Sequence, residues 1–208
     1  MMTEASTAKR PAAKGKPEGI TPSQTVGPFF HYMMTPHAYD VPELFVTDLT
    51  DGTGLTDTLR IEGRMLDADG VPMTDVLLEI WQADAAGDYA TTEATLEGNR
   101  RPFHGFGRCD SDKTGTFRFI TIKPGRVSGA DVQPQAPHIA VTVLGRGLLK
   151  HLTTRFYFEG DPANAGDAVL KLVPASRRET LMLKRGTDGV WRCDIRLGGD
   201  QETVFFGV

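Results

Sequence analysis

Cysteine is the first shortage: the 208 residues include two, Cys109 and Cys193. Two thiols in so long a chain make no disulfide framework. They could pair with each other, but a reduced, cytoplasmic setting is the simpler expectation. The motifs Cys-x-x-Cys, His-Glu-x-x-His and Gly-x-Ser-x-Gly are all missing. Their absence excludes zinc ribbons, zincins and α/β-hydrolases. No Gly-rich phosphate loop opens a helix, and no internal repeat is visible. No apolar run approaches membrane-span length, and Met1 to Lys16 lacks the apolar core of a secretory signal. Positive charge is also in deficit, with 23 Lys and Arg against 27 Asp and Glu for a net charge of −4, which argues against a nucleic-acid binder.

What the chain has is glycine and proline, 23 and 13 respectively, spaced between short β-branched and aromatic runs. Residues 1–20 mix Ala, Lys, Pro, Gly and Glu with almost nothing to bury, and read as a disordered tail. The following arm, 21–58, begins Thr21-Pro22-Ser23-Gln24-Thr25-Val26-Gly27-Pro28-Phe29-Phe30. Its prolines forbid regular structure while its aromatics demand cover, so it packs on its own domain, on a neighbour, or along a cleft.

From Leu59 to Leu66 apolar and polar residues alternate as in a strand. Asp67-Ala68-Asp69-Gly70 is turn chemistry, since Asp and Gly accept left-handed backbone; as a calcium loop it lacks the bidentate Glu. Val76–Gln82, Gly115–Ile122, Leu152–Phe158, Leu181–Lys184, Val190–Leu197 and Val204–Phe206 read as further strands, with Asp110–Gly115 as a turn. One short helix is expected in Asp161–Leu172, with Asp161 as N-cap and Pro162 at the first helical position. Short strands with turns between them predict an all-β fold, an antiparallel sandwich or barrel, over 21–208 as a single domain.

One strand carries more than packing. In Ala136-Pro137-His138-Ile139-Ala140-Val141-Thr142-Val143 the Pro stands at the strand opening, where no ladder donor is lost. His138 and Ala140 then point to one face. Two imidazoles at that spacing would suit a metal; here the second position has only a methyl group, so the pattern is half a site. The remaining candidates for chemistry are Tyr32, Tyr39, Tyr89 and Tyr157, with His31, His37, His104 and His151. Tyr89 ends Glu79-Ile80-Trp81-Gln82-Ala83-Asp84-Ala85-Ala86-Gly87-Asp88-Tyr89, where a strand runs out into a loop; by residue type alone it is a half-exposed packing residue, and Trp81 a core residue.

Ile61-x-Gly63-x-Met65, Gly70, Met73, Leu78-Glu79-Ile80 and Gly87-x-Tyr89 together resemble the signature of the intradiol ring-cleavage dioxygenases. Thr121-Ile122-Lys123-Pro124-Gly125, Ala136-Pro137-His138-Ile139, Phe156–Asp161, Arg178-Glu179-Thr180-Leu181 and Thr21–Pro28 extend the likeness from about residue 21 to the end. The resemblance implies the family's β-sandwich with few short helices, and a ferric ion held by two Tyr and two His. Carried over one at a time, the first Tyr falls on Tyr89 and the first His on His138. The second Tyr falls on Val127 and the second His on Ala140, while an Arg that precedes the first His falls on Gln135. Neither isopropyl nor methyl can donate to a metal.

The resemblance therefore implies the non-catalytic partner in a heteromer of αβ units, whose β subunit carries the Fe(III). That pair would perform O2-dependent cleavage of 3,4-dihydroxybenzoate to 3-carboxy-cis,cis-muconate. It further implies that Thr25, Pro28 and Arg146 wall the partner's pocket, with Arg146 able to bind the substrate carboxylate bidentately. The plain alternative for Arg146 is a solvated loop cation. Two other functions stay open: a scaffold module with no pocket role, and a self-sufficient dioxygenase using His104 or Tyr32 as substitute ligands.

Overall fold

The computed structural model describes residues 25, 27, 34, 46–90, 102–128 and 133–207; the expected tail at 1–20 and most of the arm, Pro28 included, lie outside them. The described residues form nine strands: β1 (Leu59–Leu66), β2 (Val76–Trp81), β3 (Phe106–Asp110), β4 (Thr116–Thr121), β5 (His138–Gly145), β6 (Leu152–Phe158), β7 (Met182–Arg185), β8 (Trp191–Arg192) and β9 (Ile195–Arg196). Their order is β3-β2-β5-β6-β7-β8-β1-β4, with β9 beside β1. One leaf is β3-β2-β5-β6, the other is built on β1 and β4, and β7 joins them by pairing with both β6 and β8.

Alternation within the strands makes the sandwich. Ile61 and Met65 of β1, Phe117 and Phe119 of β4, Leu78 and Ile80 of β2, Ile139, Val141 and Val143 of β5, and Phe156 and Phe158 of β6 share one buried cluster. The rings of Phe117 and Phe156 stack at 6.2 Å between centroids across the two leaves. Each such phenyl contributes about 1.5–3 kcal/mol through burial. A second, smaller cluster joins Ala136 and Tyr157 to Leu170, Val173 and Leu181 of the helical connection between β6 and β7. It covers the outward face of the leaf where β5 begins.

The structure departs from expectation in five places. The ladders of the long strands are antiparallel, but β8 and β9 join β1 in parallel, as β7 joins β6; the antiparallel sandwich is thus closed by short parallel segments from the C-terminal part of the chain. Strand β3 was not expected. Its Gly107 carries no strand signal, but it lies under Leu49, where a Cβ would come within 2.5 Å of the Leu49 side chain. Its Arg108 also pairs with Glu79 across the ladder at 2.6 Å. The single helix expected at Asp161–Leu172 is two pieces. Asp161 caps a 3-10 turn at Pro162–Ala165, and after Gly166 Asp167 caps α1 (Ala168–Leu172). Val190–Leu197 is split into β8 and β9, and Val204–Phe206 contributes a single bridge, Phe206 to Thr153. Trp81 is not core but 53% exposed, because Leu78 and Ile80 take the inward places on β2. Cys109 and Cys193 are both free.

Candidate functional site

Two of the positions that the sequence resemblance marks as ligand places, His138 and Ala140, lie on the outward face of the β2-β5-β6 leaf. The period of two puts His138 and Ala140 on that face, since Ile139 and Val141 fill the core. The register sets Ala140 between Trp81 on β2 and Arg155 on β6, and His138 opposite Tyr157.

Two loops bring in the rest. After β2, the Asp84 carboxylate accepts from the backbone N–H groups of Ala86, Gly87 and Asp88 at 2.8, 3.0 and 3.0 Å, an Asx-type turn that leads to Tyr89. Gly87 has a φ of 96°, and a Cβ there would stand 2.1 Å from the Arg126 carbonyl oxygen. Only glycine lets the two loops touch. The Gly125 N–H donates to the Asp84 carbonyl at 2.7 Å, which fixes the Lys123-Pro124-Gly125 turn against this loop. Immediately after it the Val127 carbonyl accepts from the Gln135 N–H at 2.6 Å, and Arg155 Nη1 donates to Gln135 Oε1 at 2.7 Å. Tyr89, His138 and Ala140, far apart in sequence, are thereby brought near Arg155, and Val127 is tied to it through Gln135. The Tyr89 ring packs on Trp81 at 5.0 Å between centroids.

The electrostatics divide between a buried part, His138, Tyr157 and Asp167, and a half-buried part, Tyr89, Gln135 and Arg155. His138 is 2% exposed, and its Nδ1–H donates to the Ala136 carbonyl at 2.8 Å; burial lowers its pKa, so the ring is neutral. Burial raises the pKa of Tyr89, with the Arg155 charge acting in the opposite direction. Burial likewise pushes the Tyr157 phenol up to about 12. Tyr157 donates to Asp167 Oδ1 at 3.2 Å. The same carboxylate, fully buried, also accepts from the Leu170 N–H at 2.7 Å and the Ala136 N–H at 2.8 Å. Asp167 thus caps α1 and pins the start of β5 with one side chain.

This set does not fit a ferric ion. Tyr89 and His138 bring one phenol and one imidazole, Val127 and Ala140 bring no lone pair, and Arg155 brings positive charge. Among the described residues no group of three or more His, Cys, Asp or Glu side chains could hold a metal. Of the substitute ligands weighed from sequence, His104 is an exposed residue ahead of β3, and Tyr32 lies outside the described residues.

Thr25 and Arg146 lie at the opposite end of β5. The Gly147 N–H donates to Thr25 Oγ1 at 2.6 Å, so the arm meets the turn after the strand next to Arg146. The Arg146 guanidinium reaches Asp75 at 3.0 Å and its side chain is 78% exposed. Seven residues of strand separate this turn from His138, about 23 Å at 3.3 Å per residue.

Sequence reasoning missed Arg155 and Asp167. An Arg within a β-branched strand reads as a solvent-facing residue, and only the β5–β6 register shows it facing Ala140. Asp167 carried a signal, an Asp before a short apolar run, which the stronger Asp161-Pro162 pair obscured.

Residues 26–189 match the family profile described as Dioxygenase. The chain belongs to this family, the intradiol ring-cleavage dioxygenases, whose members are non-haem iron enzymes. It is 42% identical over 197 residues to the protocatechuate 3,4-dioxygenase alpha chain of Burkholderia cepacia, covering 90% of this chain and 97% of that one. Against the beta chain of the same enzyme from that organism it is 36% identical over 145 residues, covering 66% and 60%. Among solved structures it resembles the dioxygenase domain of a dioxygenase–carbohydrate-binding fusion from Streptomyces sp. SirexAA-E. There the TM-score is 0.58 at 26% identity, covering 86% of this chain and 98% of that one. No helix among the described residues is long and apolar enough to cross a membrane.

Proposed function

We propose that this chain is the alpha subunit of a heteromeric protocatechuate 3,4-dioxygenase, a cytoplasmic enzyme in which a beta subunit holds the ferric ion and carries out the chemistry with dioxygen. The observation that carries the reading is the end-to-end likeness to an alpha chain, set against the partial likeness to a beta chain. The side chains at Val127 and Ala140 support it, because neither can replace a phenolate or an imidazole. The sandwich around them keeps its core, so what is lost is the ligand set and not the scaffold.

In this reading the arm, through Thr25 and Pro28, and the turn at Arg146 form part of the wall of the beta subunit's pocket. Thr25 anchors that turn, since its hydroxyl holds the Gly147 N–H. Arg146 offers two parallel N–H donors to the carboxylate of 3,4-dihydroxybenzoate, which orients the ring with its hydroxyls away from this chain. The Asp75 partner is at the surface and exchanges readily for a substrate carboxylate. Tyr89 and His138 take no part in turnover.

Co-expression with the companion beta chain tests the assignment. The expected result is a stable complex that converts 3,4-dihydroxybenzoate to 3-carboxy-cis,cis-muconate, while this chain alone does not. Ring cleavage by this chain alone would contradict it.

A further inference from the structure

The cluster around Ala140 contains one feature that the loss of two ligands does not require. Arg155 lies directly across the β5–β6 ladder from Ala140, and its Nη1 is held at 2.7 Å by Gln135, whose own N–H is held by Val127. The guanidinium is therefore tied to the elements that carry both vacated ligand positions.

We infer that Arg155 is a built-in cation that occupies the place of the metal, excluding iron from this chain independently of the substitutions at 127 and 140. A guanidinium brings positive charge and five N–H donors but no lone pair for a metal. Like charge at short range opposes the entry of a trivalent ion. Restoring the ligands without removing Arg155 should leave the site closed.

This inference rests on the assignment of Val127 and Ala140 as former ligand positions. The test compares the full-length chain as V127Y/A140H, as V127Y/A140H/R155Q and as V127Y/A140H/R155K, each incubated with ferric iron, measuring iron per chain and the phenolate-to-iron charge-transfer colour. The double variant and its R155K form should stay colourless, and the R155Q triple variant should take up about one iron per chain, with affinity at least about tenfold higher. Iron in the double variant overturns the role of Arg155. A folded triple variant without iron overturns the ligand assignment and the inference with it. Should the redesigned chains misfold, the natural chain decides: 15N NMR should show the Arg155 Nε–H as a resolved, slowly exchanging signal that Gln135→Ala mobilises. A signal averaged with the surface arginines would overturn the inference.

Discussion

At the His138 end of β5 the polar side chains are folded into one another, whereas at the Gly145 end they are held out to solvent. Tyr157, Asp167 and the Ala136 backbone satisfy each other under the cover of α1, and beside them the half-buried Arg155 and Gln135 pair with one another. About 23 Å along the same strand, Arg146 keeps a single ion pair on a turn that meets the arm. A closed network adds stability and specificity to the fold but offers nothing to a ligand; an exposed cation adds little stability and stays available. The same strand thus carries a buried structural end and an exposed end, which in the proposed function faces the partner's substrate.

The contrast can be broken by mutation, and the largest effect is expected at the closed end. Asp167→Ala removes an N-cap and strands two backbone donors and a phenol in the interior, so the chain should lose about 3–5 kcal/mol, read by urea denaturation. If the loss were under 1 kcal/mol, the network would not be what orders this end. At the open end, Arg146→Ala should raise the KM of the αβ complex for 3,4-dihydroxybenzoate about tenfold, roughly 1.4 kcal/mol, with kcat little changed. An unchanged KM would make Arg146 a solvated loop cation and leave the chain a scaffold.

Smaller effects sharpen the comparison. Tyr157→Phe deletes one of three donors to Asp167 and should cost about 1 kcal/mol at neutral pH. Its pH signature is more telling. The Tyr157 phenol is pushed from 10.0 to about 12 in the folded chain. Below pH 10 the proton is bound in both states, so the contribution is fully present and does not change with pH. Above it the unfolded chain ionises first, so stability falls as pH rises towards 12, by up to about 1.4 kcal/mol per pH unit. Buried Cys193, pushed from 9.0 to about 12, adds a similar loss that begins lower. The alkaline limb should therefore be shallower in Tyr157→Phe than in the natural chain; an identical limb would place the phenol in water. The smallest effect belongs to Arg146→Ala again, whose influence on stability should stay within about 0.5 kcal/mol.

Much of this was legible in the sequence, because alternation fixes faces. Leu59–Leu66 and Leu152–Phe158 read as strands, and His138 and Ala140 fell on one face, from period alone. The closure of the site was not legible. Its key contact, Ala140 against Arg155, depends on strand register, and register comes from the whole core rather than from either strand. Strand β3 escaped for a related reason, as Gly107 is chosen by the overlying Leu49 and not by strand propensity. Trp81 was misplaced because size suggests burial, while position on β2 decides it.

The central claim is that this chain contributes walls and no metal ligand. Iron analysis of the purified αβ complex tests it most directly: the account predicts one iron per αβ pair, with none retained by this chain when the subunits are separated. Two irons per pair, or a coloured ferric centre in the isolated chain, would contradict it.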